Sequence, residues 1–349
     1  MEDKTNKILN TRTIRIENTP DTFNITSIID LIKDCELESI VVENGVYYLN
    51  FFEYFVFYIA YNELIKEGNV GEDIAISYVE SGAMPANKLL AHQAGASRSI
   101  YFSNIDDNMD KEYFESICMK HGEIENMKIS KEKRHVQIRF YKFESAMSCM
   151  ESLHKGNGKS RRYGFHRMKS HNKAFHCNRT LYLGNVQSEV TASGVLNHCR
   201  GGAIFSIKFL REKKCAFLTF INPHAAEAFL HNCSLNPLTV KKHRIKVTHG
   251  NNSNIPINMM LALYHGSTRS IQVKNIDDVL DMEQIESVYK ENGAVVYNFL
   301  SLYAATKAME NLRSTCNEDQ VMYVPDRCDI VNSTEVMLYM HYNEFIKKN

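Results

Sequence analysis

The chain has 349 residues, of which 44% are apolar and 23% are charged. This composition is typical of globular proteins and excludes a wholly disordered chain. The six prolines and sixteen glycines exclude collagen-like and proline-rich architectures. At about 150 residues per domain, the length predicts two domains, or more if a short repeat is present.

The net charge of the chain is zero, but basic and acidic residues are distributed unevenly along it. Residues 98–170 carry 15 basic and 10 acidic side chains, and residues 171–250 carry 11 and 3, so the middle has a net charge of +13. Residues 1–97 carry 7 and 15, and residues 251–349 carry 8 and 13, so the two ends together have −13. This pattern indicates a polyanionic partner for the middle alone.

The nine cysteines are scattered and include no CxxC pair. The polar start, Met1–Asn10, does not have the pattern of a signal peptide. We therefore expect free thiols in a reducing compartment, the cytoplasm, the nucleus or both. Cys177 and Cys199 each follow a histidine, but their spacing fits no usual zinc motif, so we expect no metal and no cofactor.

One apolar stretch, Gly45–Tyr61, imitates a membrane span. It contains Asn50 and Glu53, and it is shorter than the ~20 apolar residues that cross a bilayer. We therefore expect a buried strand followed by a buried helix, and no membrane contact.

Four short apolar strands that end in asparagine recur along the chain, about 80–90 residues apart. They are TIRIENT (13–19), SIYFSNI (99–105), TLYLGNV (180–186) and SIQVKNI (270–276). The pattern after each one predicts the order strand-helix-strand-strand-helix-strand, which is the split βαβ arrangement. The predicted fold class is α+β, with tandem ferredoxin-like βαββαβ repeats of which the outer two are degenerate.

The fourth repeat departs from this pattern. Residues 295–312 align without gaps on residues 136–153. Gly293, however, lies two residues before Val295, whereas Gly122 lies fourteen residues before Val136. The fourth repeat is therefore twelve residues shorter before this range. Because twelve residues are enough for a strand and a turn, we expect the fourth repeat to lack its second strand.

Two segments that precede a repeat match each other at a constant offset of 171 residues, Pro85–Ile100 and Pro256–Ile271. Each begins near a proline and reaches a glycine after an apolar stretch, which predicts a short ordered helix. We expect Leu90 and Leu261 to be buried where these helices pack on a neighbouring repeat. The first and second repeats would then form one body, and the third and fourth another.

The sequence predicts four repeats, at 11–80, 98–170, 178–250 and 269–330, of which the first and last are degenerate and the third is the best formed. Helical linkers are predicted at 81–97 and 251–268, and a C-terminal extension at 331–349. In the extension, Val336, Leu338 and Met340 alternate with other residues, which predicts a strand that adds to the fourth sheet.

In this fold the helices cover one face of the sheet and leave the other open. Bases of single-stranded RNA stack on aromatic side chains of such an open face. In the third repeat the alternation of side chains places Tyr182 on the open face, together with Cys215, Phe217 and Thr219. Tyr182 and Phe217 would then form a platform for two bases.

These segments resemble the RNA recognition motif. TLYLGNV resembles its first-strand hexamer, and KKCAFLTF (213–220) resembles its third-strand octamer, with Cys215 at position three where the family usually has an aromatic residue. The second repeat has Tyr101 in the hexamer, and His135 and Gln137 at octamer positions three and five. The first repeat has Arg15 in its hexamer, and the fourth has Gln272 there and Val296 in its octamer, so each outer repeat lacks half of the platform.

More narrowly, the whole chain resembles the fungal four-motif RNA-binding proteins of the negative-regulator-of-differentiation type. The segments GASR (95–98) and FLREKKCAFLTFINPHAAEAF (209–229) carry this resemblance. It implies binding of mRNA and control of mRNA stability, translation or localisation.

The residues predicted to contact RNA are Tyr101, Lys133, Arg134, His135, Gln137, Arg139, Tyr182, Lys213, Lys214, Cys215, Phe217, Arg244 and Lys246. The partner is single-stranded RNA, mRNA in particular, and the acidic outer repeats are predicted to meet proteins instead, because acidic surface repels phosphate. The alternative function is a ribonucleoprotein assembly factor or small nuclear RNA chaperone whose outer repeats dock protein. The basic middle disfavours a pure protein scaffold, and without catalytic spacings the sequence predicts no enzyme.

Overall fold

The computed structural model describes residues 11–20, 23–32, 35–66, 70–71, 73–106, 108–156, 162–166, 178–251, 253–275, 282–291 and 293–329. These residues divide into two compact units. One lies within Met1–Pro85 and Gly95–Phe175, and the other within Ala86–Ala94 and His176–Asn349. Each compact unit therefore contains two of the four repeats.

The first repeat consists of β1 (Thr11–Glu17), α1 (Ile25–Leu31), β2 (Leu37–Glu43), β3 (Val46–Phe51), α2 (Tyr54–Leu64) and β4 (Ala75–Glu80). The stretch that imitates a membrane span is thus a strand followed by a helix, as predicted. Among the residues that the structure describes, no helix has the length and apolarity to cross a membrane.

The second repeat follows helix α3 (Ala86–Ala94) and consists of β5 (Ser99–Ser103), α4 (Lys111–Cys118), β6 (Ile124–Ser130), β7 (His135–Phe140), α5 (Phe143–Lys155) and β8 (Arg162–Phe165). The third consists of β9 (Thr180–Gly184), α6 (Ala192–Leu196), β10 (Ile204–Leu210), β11 (Cys215–Phe220), α7 (Pro223–Leu235), β12 (Thr239–Val240), β13 (His243–Arg244) and β14 (Lys246–His249). The fourth follows helix α8 (Ile257–Tyr264) and consists of β15 (Ser270–Lys274), β16 (Ile285–Glu291), β17 (Ala294–Phe299), α9 (Leu302–Thr315) and β18 (Val321–Val324).

All four main sheets have the same antiparallel order, with the first and third strands at the centre. The orders are β2-β3-β1-β4, β6-β7-β5-β8, β10-β11-β9-β14 and β16-β17-β15-β18. This is the order of the split βαβ arrangement. The prediction of tandem ferredoxin-like repeats is confirmed.

Local sequence signals start the helices that cover these sheets. The side chains of Asp110, Thr191 and Ser301 each accept a hydrogen bond from a backbone N–H in the first turn of α4, α6 and α9. A capping side chain of this kind stabilises a helix by about 1 kcal/mol. The helices then bury the apolar face of each sheet, where side chains such as Leu183 and Phe140 are fully enclosed.

The prediction that the fourth repeat lacks its second strand is wrong. Strand β16 is that strand, and it pairs with β17 up to Glu291 and Ala294. Gly293 has a φ of +74° and belongs to the hairpin between them, as Gly45 with a φ of +78° does between β2 and β3. Sequence analysis took Gly293 for a helix-ending glycine. β17 is buried along its whole length and needs backbone partners on both edges, which explains why β16 is retained.

Ten of the twelve missing residues come instead from the connection between the first and second strands of the fourth repeat, and the other two come from the hairpin after the second strand, 292–293 against 131–134. The connection between the first two strands has ten residues, 275–284, whereas the second repeat has twenty, 104–123, and the third nineteen, 185–203. In the second and third repeats this connection contains the first helix.

The two helices that precede repeats, α3 and α8, pack against each other. Asn87 Nδ2 donates a hydrogen bond to the backbone oxygen of Tyr264 at 2.6 Å. Leu261 is buried, as predicted. Leu90 is only half-buried and lines a cavity, and its neighbour Leu89 supplies the buried side chain, so the prediction was wrong by one position.

Within each compact unit, the two repeats are joined in an equivalent way. The N–H of Ile40 in β2 donates to the oxygen of Tyr141 at 2.9 Å, and the N–H of Ile207 in β10 donates to that of Leu300 at 2.8 Å. In both cases an edge strand of the earlier repeat meets the residue that follows the third strand of the later one.

A buried arginine reinforces each joint, and the two arginines are 171 positions apart. Arg98 donates to the oxygen of Leu37, in the first repeat, at 3.0 Å and contacts Glu125 at 2.8 Å. Arg269 is fully buried and contacts Asp326 and Glu286, each at 2.8 Å, and Asp326 Oδ2 in turn accepts a hydrogen bond from the N–H of Ile204, in the third repeat, at 3.5 Å. The repeated sequence offset thus corresponds to a repeated structural joint.

Candidate nucleic-acid interface

The third sheet presents one row of four side chains across its open face. Residues directly opposite in an antiparallel ladder point to the same face. The register pairs Lys208 with Phe217, Phe217 with Tyr182, and Tyr182 with Thr248. The row therefore combines one exposed lysine, two half-buried aromatic rings and one hydroxyl.

The two rings of this row are in contact. Their centroids lie 5.7 Å apart at an interplanar angle of 66°. Gly184 gives the Tyr182 ring room to lie over β9, because a Cβ at that position would be 3.0 Å from the ring. On the opposite face, Leu181 and Ala216 are fully buried under the helices. Both rings are thus held on the open face, as the alternation predicted.

Cys215 and Thr219 do not reach solvent as predicted. They lie on the same face as Phe217, but their exposed fractions are 4% and 5%. Cys215 lies opposite Leu210 on one side and Gly184 on the other, and the Tyr182 ring lies over Gly184. The smaller thiol is therefore covered by its larger neighbours, and Cys215 is not available to RNA.

The remaining predicted residues of the third repeat lie at the end of this face. Lys213 and Lys214 are exposed in the turn between β10 and β11, where Lys214 has a φ of +47°. Lys246 is exposed opposite Gly184, and Arg244 is exposed in the short hairpin before it. These four cations border the aromatic pair without an ion pair among the described residues.

The second sheet has an equivalent row with different chemistry. Its members are Lys128, Gln137, Tyr101 and Gly164. The amide therefore occupies the place of Phe217. A Cβ at Gly164 would lie 2.7 Å from the Tyr101 ring, so the glycine lets that ring lie over β8.

Two histidines surround this row. The ring of His135 lies nearly parallel to that of Tyr101, at an interplanar angle of 19° and a centroid distance of 5.7 Å. Gln137 Nε2 lies 3.1 Å from Nδ1 of His166. Burial, with repulsion from His135 and Arg139, lowers the pKa of His166 below its ordinary value. The neutral ring can then accept the hydrogen bond of the amide.

The predicted cations of the second repeat divide into free and engaged groups. Lys133 is exposed. Arg134 donates to the backbone oxygen of Ile105 at 2.9 Å and lies 3.6 Å from Asp106. Arg139 lies on the open face, but it contacts Glu125, the carboxylate that also binds Arg98, at 3.3 Å. Arg134 and Arg139 therefore have protein partners that the sequence did not reveal.

Lys128 and Lys208 are exposed members of the two rows that sequence analysis missed. Both lie on the second strand of their sheet, at equivalent positions. The signal was present, because the alternation used for the first and third strands also applies to β6 and β10.

The outer sheets lack a pair of adjacent exposed rings. The equivalent row of the first sheet contains Val41, Tyr48, Arg15 and Ser77, and Arg15 is paired with Glu17 at 2.7 Å. The row of the fourth contains Tyr289, Val296, Gln272 and Met322, in which Val296 is buried. Tyr289, 43% exposed, is a ring that sequence analysis missed.

No three histidine, cysteine or acidic side chains come together as a metal site in the described ranges. Cys177 lies outside them. The order of the sheets, their open faces and the aromatic row of the third repeat define a protein of four tandem ferredoxin-like repeats, the fold that RNA recognition motifs have.

Over nearly its whole length the chain is similar to two fungal proteins. It is 24% identical to RNA-binding protein MRN1 of Saccharomyces cerevisiae, over 97% of this chain and 64% of the relative. It is 22% identical to the Meiotically up-regulated gene 24 protein of Schizosaccharomyces pombe, over 92% and 57%. RNA-binding protein NAB6 of S. cerevisiae is 30% identical over 43% of this chain and 13% of its own. The predicted resemblance to fungal RNA recognition motif proteins is confirmed, although this chain spans less than two thirds of each relative.

No protein-family model matches the chain. Among solved structures, a Sxl-lethal protein–RNA complex is 13% identical with a TM-score of 0.24, covering 44% of this chain and 99% of its own. The three N-terminal RNA binding domains of the yeast splicing factor Prp24 are 15% identical with a TM-score of 0.23, covering 69% and 99%. The fold is defined by the order of the strands, which is the same in all four main sheets.

Proposed function

We propose that the chain binds single-stranded RNA on the open sheet faces of the second and third repeats, and that it regulates mRNA after transcription. The observation that carries the proposal is the row of Lys208, Phe217 and Tyr182 across the third sheet. Two adjacent rings can stack two bases, and the exposed cations beside them can neutralise phosphates.

Two further findings support this proposal. The basic side chains are concentrated in the same two repeats, whose residues 98–250 carry a net charge of +13. The relatives MRN1 and NAB6 are both named as RNA-binding proteins. An mRNA regulator of this kind would act in the cytoplasm, the nucleus or both.

For the first and fourth repeats we propose protein partners in place of RNA. Their open faces lack adjacent exposed rings, and Arg15, which replaces one of them, is neutralised by Glu17. The chain segments that contain them are acidic, which disfavours contact with phosphate.

The test is titration of the full chain with single-stranded RNA, comparing Phe217→Ala with the matched variant Tyr48→Ala in the first repeat. Loss of a stacked base should cost Phe217→Ala about 1–3 kcal/mol of binding free energy. Tyr48→Ala should bind almost as the wild type does. Equal losses in the two variants, or no binding by the wild type, would contradict the proposal.

The class of RNA is tested by crosslinking the full chain to RNA in cells and sequencing what is bound. An mRNA regulator should recover many mRNAs. Recovery of one structured RNA would instead favour a ribonucleoprotein assembly factor.

A further inference from the structure

The first repeat carries aromatic rings on the side of its sheet that the helices cover. Tyr78 in the edge strand β4 lies opposite Ile14 of β1, and Ile14 is fully buried under the helices. Residues directly opposite in an antiparallel ladder point to the same face. Tyr78 therefore lies on the face opposite to the row that contains Tyr48 and Arg15.

Helix α2 supplies the neighbouring side chains. Tyr58, Tyr61 and Ile65, the last at the C-terminal cap, follow the spacing i, i+3 and i+7, which places them on one stripe of the helix. The Tyr61 ring meets the Tyr78 ring edge to face, with centroids 5.3 Å apart and an interplanar angle of 87°. The buried ring of Phe57 contacts both, at 5.9 Å and 6.1 Å. We call Tyr58, Tyr61, Ile65 and Tyr78 the tyrosine surface.

Much of the tyrosine surface is accessible to solvent. The exposed fractions of Tyr78 and Ile65 are 57% and 50%, and the other two tyrosines are half-buried. Counted from the end of the third strand, Tyr61 takes the place of Met150 in the second repeat and Met309 in the fourth, which are both buried. The first repeat thus has an amphipathic ring where those repeats have a core methionine. An exposed apolar patch of this kind is typical of a protein contact.

The chain around the tyrosine surface is acidic. Residues 61–80 contain five acidic side chains and one basic side chain, Lys66, which is paired with Glu63. Glu80 is exposed and lies two residues after Tyr78, so it lies on the same side of β4. Tyrosine rings beside carboxylates are suited to arginine, because its planar cation stacks on a ring face and pairs with a carboxylate.

We propose that the tyrosine surface binds an arginine-rich segment of a protein partner. Arginine side chains stack on Tyr61 and Tyr78, and Glu80 pairs with one of them. This inference rests on the proposed function, because it assigns a site and a chemistry to the protein partner of the first repeat. The open face of the first sheet stays uncovered, since the tyrosine surface lies on the other side.

Titration of the full chain with a synthetic peptide of alternating arginine and glycine tests this proposal. The wild type should bind the peptide, and Tyr78→Ala should weaken binding about fivefold, because it removes a cation–π contact. Tyr303→Ala is the matched control, since Tyr303 is 60% exposed on the second helix of the fourth repeat. The control should bind the peptide as the wild type does.

A second peptide, with lysine in place of every arginine, has the same charge but lacks the planar group that stacks. It should bind the wild type about threefold more weakly, and Tyr78→Ala should change its affinity little. Equal affinity for the two peptides, or an equal affinity of Tyr78→Ala and the wild type for the arginine peptide, would overturn the proposal. Tighter binding of a proline-rich peptide without arginine would also overturn it, because it would identify a polyproline partner.

Titration of Tyr78→Ala with single-stranded RNA separates this inference from the proposed function. Its affinity for RNA should equal that of the wild type. A loss of RNA affinity would show that the first repeat contacts RNA, and it would contradict both the inference and the proposed function. Unchanged RNA affinity without binding of the arginine peptide by the wild type would overturn the inference alone.

Discussion

The second and third repeats share a fold and a basic segment of chain, yet their open faces differ. In the third repeat the central pair of the row is Tyr182 and Phe217. In the second, Tyr101 is paired with Gln137, and the ring that lies parallel to it is His135, two residues earlier on the strand. The second aromatic group has therefore moved along the strand and left an amide in its place.

Side chains that can stack on bases and side chains that can hydrogen-bond to them are therefore distributed unequally between two otherwise similar sheets. Two aromatic rings stack with any base, because every base has a π-face. An amide instead recognises donors and acceptors on a base edge. We therefore expect the third repeat to contribute more affinity and the second to discriminate more between bases.

The largest expected effect comes from exchanging the two central side chains. Phe217→Gln should weaken the binding of single-stranded RNA by about 1–3 kcal/mol, because it removes a stacking surface. Gln137→Phe should strengthen binding and reduce the difference in affinity between homopolymers. Both variants are titrated as full chains against the four homopolymeric RNAs. If Gln137→Phe discriminates between bases as well as the wild type does, Gln137 does not contribute base discrimination and the expectation is wrong.

The central pair of the third repeat was predictable because it depends on local alternation. Tyr182 and Phe217 lie between residues that the sequence marks as apolar, and antiparallel pairing then fixes their faces. Cys215 obeys the same alternation, but its burial depends on the sizes of Leu210 and the Tyr182 ring on neighbouring strands. The alternation along a strand predicts which face of the sheet a side chain lies on, but it does not predict which neighbouring side chains cover it.

The next effect concerns octamer position three, where the second repeat has His135 and the third has Cys215. His135→Ala should weaken RNA binding by about 1 kcal/mol or more, because it removes a half-exposed ring beside Tyr101. Cys215→Ala should leave RNA affinity unchanged, because its thiol is buried. Equal losses of affinity in a titration of the two full-length variants would show that exposure does not decide the role of this position.

The ion pair of Arg139 and the second strand of the fourth repeat could not be predicted from the local sequence, because both depend on residues distant along the chain. Arg139 was expected to meet RNA, but Glu125 on the neighbouring strand binds both Arg139 and Arg98. The second strand of the fourth repeat was missed because Gly293 suits both a helix end and a hairpin. Its role is decided by β17, whose edges both need partners.

A smaller effect should come from the lysines that begin the two rows. Lys208→Ala and Lys128→Ala should each reduce the slope of log affinity against log salt by about 0.7, if each neutralises one phosphate of a single strand. Tyr182→Ala is the control, since stacking releases no counterion and should leave the slope unchanged. Titrations over a range of salt concentrations measure all three slopes. A slope that changes for only one lysine would show that one face makes no phosphate contact there.

The smallest expected effect is a pH dependence that comes from the row of the second repeat. His166 accepts from Gln137 only when its ring is neutral, and burial, His135 and Arg139 hold its pKa below the ordinary value. Because the folded-state pKa is lowered, the neutral ring contributes stability above the unfolded-state pKa of about 6.5, and this contribution is lost as the pH falls through the folded-state pKa. The third repeat has Gly250 at the equivalent position, so its row should not respond. We expect the full chain to melt at a lower temperature at a pH of about 5.5 than at about 7.5, and His166→Asn to reduce that difference. If the variant and the wild type lose the same amount, the histidine is not coupled to the folded state, and Gln137 is positioned by something else.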